Sequence, residues 1–380
     1  MKKLAFIDLT NFHNWPMGGM LEYELTLLSE LTKSFDIDIW GVSVDGIRPE
    51  PIVIDNKVFP INIFANVKTK NKIIPNYLRG LLTYRIKKLA NKKYDYYYAH
   101  TGSCMVGVKP FKGDSKLIYQ QHGLNYLNDK SIMQSIQRPF YTLAQRAADL
   151  VFVVSDLKSV NKYERYMKRR HHINAKYIAV KSPINVDQFN ETYIQKRIRQ
   201  TQGENIKKLI YTGRLSKFKN AKLLIDVFNK YQTEIEPSAT LTIVGSGEEE
   251  ELLRKKIEKL NLEKKVKLTG AVAHDEIYKL LIRSDAFLTA SGGEGVSVSV
   301  AEAYAAGLPV VCFRVPGLEK QVINNVTGKI AVDNTMDAFF IALKDLNANY
   351  VQMANNCLLE AKKYSVKNVS KVIKDNILDL

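Results

Sequence analysis

The sequence has few cysteines and no long hydrophobic run. Its three cysteines, Cys104, Cys312 and Cys357, are widely spaced and follow no metal-ligand pattern. This spacing argues against a disulfide framework or a zinc module, and we expect reduced thiols in a cytoplasmic protein. No stretch approaches the roughly 20 apolar residues that span a bilayer. The apolar run at the N-terminus stops at Asp8, which is typical of a buried strand and too short for a signal peptide.

Acidic residues are outnumbered by basic ones. The chain has 39 Asp and Glu against 56 Lys and Arg, a formal net charge of +17. Residues 1–190 hold 28 basic and 16 acidic side chains, whereas residues 191–380 hold 28 and 23. A basic excess of this size indicates an anionic partner: a nucleic acid, a membrane surface or a phosphorylated substrate. Charge alone does not choose among the three.

Short apolar runs alternate with longer amphipathic stretches along the chain. At 380 residues the chain is long enough for two hydrophobic cores. Near-continuous apolar strands separated by helices predict parallel sheets that are covered on both faces. The pattern resets once, and we interpret the polar residues 185–205 as a linker. The sequence therefore predicts two doubly wound α/β domains, whose ligands lie outside the carboxyl ends of the strands.

The most informative segment, residues 291–309, follows a predicted strand. Its glycines allow close approach to a ligand, and a helix is predicted from about Ser297 to Ala306. Unpaired N–H groups at such a helix start favour a phosphate. Glu294 precedes the helix and Glu302 lies within it, where a carboxylate can accept two hydrogen bonds from the vicinal hydroxyls of a sugar. The alternative is a loop glutamate and a helix-surface glutamate without a ligand.

Two further turns follow predicted strands of the second half. Arg214 and Lys219 can converge on a diphosphate, the arginine as a fork and the lysine as a point charge. The alternative is a pair of surface cations. Gly245 and Gly247 open a segment that continues into four glutamates, which would repel a pyrophosphate. We interpret that segment as a tight strand-to-helix turn rather than a dinucleotide site.

In the first half, Gly18 and Gly19 precede a predicted helix. They form a second candidate anion site, or an ordinary glycine turn. His100 and His122 each follow a predicted strand, where a neutral imidazole can bind a sugar hydroxyl. A lone histidine is more often structural, and that alternative stays open for both.

Several of these segments match one known family. Glu294 and Glu302 are separated by seven residues, and they resemble the E-x7-E motif of retaining family 4 glycosyltransferases, the glycosyl transferases group 1. Residues 213–220 resemble the family's G-R-L-x3-K-G/N element, and residues 18–22 resemble its G-G-x-x-E loop. The family pattern has Gly-Phe-Gly after the first glutamate, whereas this chain has Gly295, Val296 and Ser297.

The resemblance implies a role for each matching residue. Glu302 would hold the ribose hydroxyls of a nucleotide donor, and Glu294 would contact the transferred sugar. His122 would face that sugar, so His122 and Glu294 would be the catalytic residues. Arg214 and Lys219 would neutralise the leaving diphosphate. The other implied donor positions are Gly18, Gly19, Gly295, Val296 and Ser297. His100 follows a neighbouring strand, and we expect it on the acceptor side.

The resemblance also implies an architecture and an activity. The fold would be α/β of the GT-B type, with two Rossmann-like domains and a cleft between them. Residues 1–185 would form the acceptor-side domain, residues 186–362 the nucleotide-sugar domain, and residues 363–380 a helix that crosses back to the first domain. The enzyme would be a hexosyl- or N-acetylhexosaminyltransferase that uses a UDP-sugar, or secondly a GDP-sugar. Its acceptor would be a glycan or a lipid-linked glycan in bacterial surface polysaccharide or glycoconjugate synthesis.

We expect neither a metal ion nor another cofactor, because Arg214, Lys219 and the helix dipole supply positive charge. Asp36 and Asp38 match the metal-binding D-x-D of another glycosyltransferase class only superficially, and we interpret them as a solvated strand entry. Residues 68–93 hold nine basic and no acidic side chains. Such a stretch predicts peripheral contact with an anionic membrane at the inner face of the cell membrane, or an ordinary domain helix with a basic face.

Rival functions are a sugar-nucleotide epimerase of the same fold, a phosphorylase, or a basic nucleic-acid-binding protein. An epimerase alters a nucleotide sugar without an acceptor. The sequence lacks an aromatic-basic interleaved motif or a recognition module, so we expect no nucleic acid partner.

Overall fold

The computed structural model describes residues 1–13, 19–69, 92–124, 132–294 and 296–380. These residues form two compact units. Unit 1 comprises Met1–Pro183 and Val366–Leu380, and unit 2 comprises Ile184–Ser365. The chain therefore leaves unit 1 after residue 183 and returns to it after residue 365. The boundaries expected from the sequence were residues 185 and 362.

Unit 1 is built on a parallel sheet. Its strands in the described ranges are β1 (Lys3–Ile7), β2 (Asp36–Val44), β3 (Ile52–Ile54), β4 (Lys57–Phe59), β5 (Ile61–Val67), β6 (Tyr96–Ala99), β7 (Lys116–Gln121), β8 (Leu150–Val154) and β9 (Lys176–Val180). Seven of them pair in the order β5-β2-β1-β6-β7-β8-β9, and all six pairings are parallel. β3 and β4 form a separate antiparallel hairpin. In the same described ranges, the helices between them are α1 (Gly19–Leu31), α2 (Gly102–Val108), α3 (Ile132–Ala147) and α4 (Leu157–His171).

The central strands of unit 1 are apolar on both faces. All five residues of β8 are buried, although alternate side chains point to opposite sides of the sheet. This is the continuous apolar pattern from which parallel sheets were predicted. β5 escaped the sequence analysis because its sequence, INIFANV, mixes polar and half-buried positions, as an edge strand does.

Unit 2 repeats the design. Its six parallel strands are β10 (Lys208–Thr212), β11 (Thr240–Val244), β12 (Val266–Leu268), β13 (Ala286–Thr289), β14 (Val310–Phe313) and β15 (Gly328–Ala331), in the order β12-β11-β10-β13-β14-β15. Its helices are α5 (Glu191–Gln200), α6 (Ala221–Glu234), α7 (Glu250–Lys259), α8 (His274–Ile282), α9 (Val298–Ala305), α10 (Leu318–Gln321), α11 (Met336–Leu346) and α12 (Tyr350–Ala361). The chain then returns to unit 1 with α13 (Val366–Leu378). Across the described ranges, no helix has the length and apolarity needed to cross a bilayer.

In both sheets the strand order reverses at the centre. In unit 2 the chain runs from β10 outward to β11 and β12, and then places β13 on the other side of β10. In unit 1 it runs from β1 to β2 and β5, and then places β6 on the other side of β1. Crevices at such reversal points, outside the carboxyl ends of the strands, are where open α/β sheets bind ligands.

The structure corrects the linker expected at residues 185–205. α5 occupies much of this segment and packs into unit 2 through Ile194 and Ile198, which are both buried. Arg197, only 8% exposed, lies on the same face. Its guanidinium donates hydrogen bonds to the carbonyl oxygens of Ile282 (2.9 Å), Ala306 (2.9 Å) and Gly307 (3.0 Å). Most residues of the segment are polar, but Ile194, Arg197 and Ile198 recur at helical spacing and form a narrow buried face.

We expect Arg197→Met to lower the free energy of unfolding of unit 2 by about 3 kcal/mol, because carbonyl groups at the ends of α8 and α9 lose a buried, charged donor. Chemical denaturation followed by circular dichroism measures the loss. Arg199→Met is the matched control, since Arg199 is exposed on the same helix, and it should change stability by less than about 0.5 kcal/mol. Equal losses in the two variants would contradict the capping role.

Candidate functional site

The loops after β10 and β13 bring a lysine and a glutamate into contact. Lys219 ends a short 3₁₀ turn, Lys217–Lys219, in the loop after β10, and Glu294 lies in the loop after β13. The ammonium group of Lys219 donates to the carboxylate of Glu294. Their side chains remain 27% and 15% exposed. An accessible cation beside an accessible carboxylate can bind a ligand that has both a phosphate and sugar hydroxyls.

Backbone contacts hold the loop that contains Glu294. The N–H of Gly292 donates to the carbonyl of Phe218 (3.0 Å), and the N–H of Glu294 donates to the carbonyl of Pro316 (3.3 Å). A Cβ atom on Gly293 would lie only 3.2 Å from the Phe218 ring. The loop after β13 therefore packs directly on the turn that contains Lys219.

The start of α9 is fixed from two sides. Ser297 is its N-cap, and the Ser297 hydroxyl accepts a hydrogen bond from the N–H of Val300 (3.4 Å). The buried amide of Gln321 accepts from the Ser297 N–H (2.9 Å) and donates to the Ser297 carbonyl (2.8 Å). Val296 packs against the hydrophobic core of unit 2. Gly295 lies outside the described residues.

Glu302 lies inside unit 2 rather than on the helix surface. It is 3% exposed, and its Oε1 is 2.7 Å from Nε2 of His274. Nδ1 of His274 is in turn 3.0 Å from the hydroxyl of Tyr278. His274 and Tyr278 are four residues apart on α8 and therefore lie on one face of that helix.

The turn that contains Arg214 packs against the loop after β11. The N–H of Leu215 donates to the carbonyl of Ser246 (2.9 Å). A Cβ atom on Gly247 would lie 2.2 Å from the carbonyl oxygen of Leu215, so only glycine fits there. Close approach explains the glycines that superficially resemble a dinucleotide fingerprint. The side chain of Arg214 is exposed, and it makes no hydrogen bond or ion pair with the residues that the structure describes.

In unit 1, four ionisable side chains meet at the strand-order reversal. Asp8 follows β1, His100 follows β6, His122 follows β7, and Glu24 belongs to α1. Nδ1 of His100 lies 3.3 Å from a carboxylate oxygen of Glu24 and 3.3 Å from Nε2 of His122. Asp8 accepts a hydrogen bond from the hydroxyl of Thr101. Asp8 and Glu24 are fully buried, and His100 is 3% exposed.

Burial sets the protonation of this cluster. It raises the pKa of Glu24 to about 8. It also raises the pKa of Asp8 well above the usual range, with a further contribution from the nearby Glu24. Burial lowers the pKa of His100 to about 4 and holds the pKa of His122 well below its ordinary value. At pH 7 the two imidazoles are therefore neutral and Glu24 is protonated.

Glu24, His100 and His122 are also the group of three that could hold a metal ion in the described part of the chain. Their ligand atoms lie within 4.8 Å of one another. One carboxylate and two imidazoles is a ligand set that zinc accepts. The two carboxylate oxygens of Glu24 and Nε2 of His100 make no hydrogen bond to a described residue. That no metal takes part in the reaction remains a prediction.

The remaining predicted positions are less informative. Gly18 lies outside the described residues, and Gly19 is the first residue of α1. Sequence reasoning missed Asp8, Glu24 and His274. Asp8 gave a signal, since it ends the first apolar run and directly follows β1, whereas Glu24 and His274 owe their positions to residues distant in sequence.

The second unit is similar to a described family. Residues 194–364 match the family model "Glycosyl transferases group 1". The uncharacterized glycosyltransferase MJ1069 of Methanocaldococcus jannaschii is 23% identical over 98% of this chain and 99% of its own length. The O-antigen biosynthesis glycosyltransferase WbnH of Escherichia coli is 24% identical over 70% of each chain. The chain spans only 22% and 29% of the length of two other curated relatives.

A solved structure has the same fold. Anabaena Alr3699/HepE, in complex with UDP and glucose, superposes with a TM-score of 0.72 over the whole of both chains at 19% identity. Fold and comparisons together define the class of this protein: it is a glycosyltransferase with the GT-B fold. The residues that match the family model lie in unit 2 and include Lys219, Glu294 and Glu302.

We expect the stability of the protein to fall with rising pH because Glu24 is protonated in the folded state. Its pKa is about 8 in the folded protein and about 4.5 in the unfolded chain, so the stability that it contributes is lost as pH rises towards 8. Between pH 6.5 and 8 the histidines contribute alike to wild type and variant, so the difference between their stability profiles isolates Glu24. In that range Glu24→Gln should remove up to about 1.4 kcal/mol per pH unit of this loss.

Melting temperatures of wild type and variant, measured at pH 6.5, 7.25 and 8, test this expectation. Glu22→Gln is the control, because Glu22 lies on the same helix but is only partly buried. Parallel pH profiles for wild type and Glu24→Gln would show that Glu24 is ionised at pH 7.

Proposed function

We propose that this enzyme transfers a sugar from a nucleoside diphosphate sugar to a hydroxyl group of a glycan or lipid-linked acceptor, with retention of configuration at the anomeric carbon. The contact between Lys219 and Glu294 carries the proposal. It lies at the strand-order reversal of unit 2, where open α/β sheets bind ligands. Its cation suits a diphosphate, and its carboxylate suits the hydroxyls of the attached sugar.

The donor nucleotide would bind along the carboxyl ends of the unit 2 strands. Lys219 has three N–H donors, so its contact with Glu294 leaves donors for phosphate oxygens. The exposed guanidinium of Arg214 would add a two-pronged contact. Glu302 is buried, and its Oε1 lies 2.7 Å from Nε2 of His274. Its carboxylate would accept hydrogen bonds from the ribose hydroxyls. We favour a UDP-sugar and place a GDP-sugar second, because HepE, which has the same fold, was solved with UDP and glucose.

The reaction would depend on positioning and electrostatic stabilisation. The bond from the anomeric carbon to the diphosphate oxygen breaks, the bond to the acceptor oxygen forms on the same face, and the acceptor proton passes to the leaving diphosphate. Arg214 and Lys219 would stabilise the charge that develops on that diphosphate. Glu294 and His122 would orient the sugar, His122 as the neutral imidazole that its lowered pKa implies. Positive side chains take the place that a metal ion has in other glycosyltransferases.

Unit 1 would provide the acceptor side, with His100 near the acceptor. A role in surface polysaccharide synthesis is supported by the similarity to WbnH, which is named for O-antigen biosynthesis. Peripheral contact with an anionic membrane through residues 68–93 also belongs to this proposal. Residues 70–91 lie outside the described part of the chain, so the charge of the sequence is its support.

Calorimetric titration of UDP, GDP and ADP, in matched salt and with EDTA present, tests the donor site. We expect selective binding of one nucleotide, UDP first. Lys219→Met should weaken that binding by about 10- to 100-fold, because it removes a charge-assisted hydrogen bond to the diphosphate. Glu302→Ala should weaken it as well.

Lys217→Met is the matched control, since Lys217 is exposed on the same 3₁₀ turn. It should change the affinity by less than about threefold. A folded wild-type protein that binds none of the three nucleotides, or equal effects of the two lysine substitutions, would overturn the donor site. Conversion of a bound nucleotide sugar without any acceptor would point to an epimerase instead.

A further inference from the structure

His274 makes a contact to which the proposed donor site assigns no role. Its Nε2 lies 2.7 Å from Oε1 of Glu302. The carboxylate belongs to a side chain that is 4% exposed, whereas the imidazole is 30% exposed. A buried carboxylate is costly unless it accepts hydrogen bonds, and this one accepts from a side chain on a different helix. His274 lies on α8 and Glu302 on α9.

Tyr278 holds the imidazole in turn. The hydroxyl of Tyr278 is 3.0 Å from Nδ1 of His274, and the two rings meet edge to face with centroids 4.7 Å apart. Tyr278 is buried and packs on Phe189, with the two ring centroids 4.9 Å apart. A proton on Nε2 satisfies the contact with the carboxylate, because Nε2–H then donates to Glu302, while the Tyr278 hydroxyl holds Nδ1. Tyr278, His274 and Glu302 thus form a chain of hydrogen bonds.

The second carboxylate oxygen of Glu302 is available to a ligand. Oε2 makes no hydrogen bond to a described residue, and it is not fully buried. Oε1 also retains a lone pair after accepting from His274. A carboxylate fixed at one oxygen and open at the other is suited to two adjacent hydroxyl groups, one on each oxygen.

We propose that His274 is a positioning residue for Glu302: it orients the carboxylate so that the carboxylate accepts hydrogen bonds from both ribose hydroxyls of the donor nucleotide. This inference rests on the proposed function and deepens it. Preorganisation makes the ribose contact strong only while the carboxylate is held, so the effect of His274 should depend on the ribose 2′-hydroxyl. A residue that merely supports the fold would affect ribose and deoxyribose nucleotides alike.

Calorimetry with UDP and 2′-deoxy-UDP separates these two cases. Wild type should prefer UDP by about tenfold or more, since the deoxy analogue leaves a buried acceptor unpaired. His274→Leu should reduce the preference to about twofold, with the affinity for 2′-deoxy-UDP changed by less than about threefold. His274→Gln should keep most of the preference, because its amide N–H can donate to Glu302. Tyr278→Phe, which keeps the ring packing, should give an intermediate ratio.

Two outcomes overturn the inference and leave the donor site intact. One is an unchanged preference in His274→Leu, and the other is an equal loss of affinity for both nucleotides. Absence of nucleotide binding by wild type would instead overturn the proposed function. Nitrogen-15 NMR of histidine in the free protein gives a readout without nucleotide: the His274 signal, assigned with His274→Gln, should show a proton on Nε2. An Nε2 without a proton would contradict the proposed hydrogen bond to Glu302.

Discussion

The reversal of strand order at the centre of each sheet is the constraint on which the candidate site depends. The chain leaves β10 towards β11 but leaves β13 towards β14, on the opposite side of the sheet. The loops that follow these neighbouring strands therefore flank one crevice, and there Lys219 meets Glu294, 75 residues further along the chain. The same reversal in unit 1 joins Asp8 to Thr101, 93 residues away. Two sheets of similar topology thus gather polar side chains by the same geometric rule.

Helix α9 shows how the surrounding structure fixes an element of the candidate site. Gln321 holds its first turn through the backbone of Ser297, and Arg197 binds the carbonyl oxygens just beyond its last turn. Between these ends, His274 contacts Glu302. A helix held at both ends and in the middle has little freedom to shift when a ligand binds. Such rigidity is what hydroxyl recognition by a single carboxylate requires.

Buried polar groups are stabilised differently in the two units. In unit 2, Arg197 is buried against helix-end carbonyl groups, and Glu302 is buried against an imidazole. In unit 1, Asp8 and Glu24 lie close together, and burial raises the pKa of both carboxyl groups. A bound proton therefore replaces a cationic partner for Glu24 at neutral pH. This protonated carboxyl lies beside His100, which in turn contacts His122. Burial lowers the pKa of both imidazoles, which are therefore neutral as well.

The sequence by itself determined the class of fold and the elements that bear the candidate residues. Continuous apolar strands predict parallel sheets. The glycine turns after strands and the seven-residue spacing between Glu294 and Glu302 are local patterns of residues close in sequence. Only the tertiary structure decided that Lys219 contacts Glu294 and that Arg197 is buried in a segment whose polarity predicted a linker. It also placed His274 on Glu302 and Glu24 beside His100. The physical reason is that local patterns record the burial of each element's own face, whereas these contacts depend on which strands become neighbours.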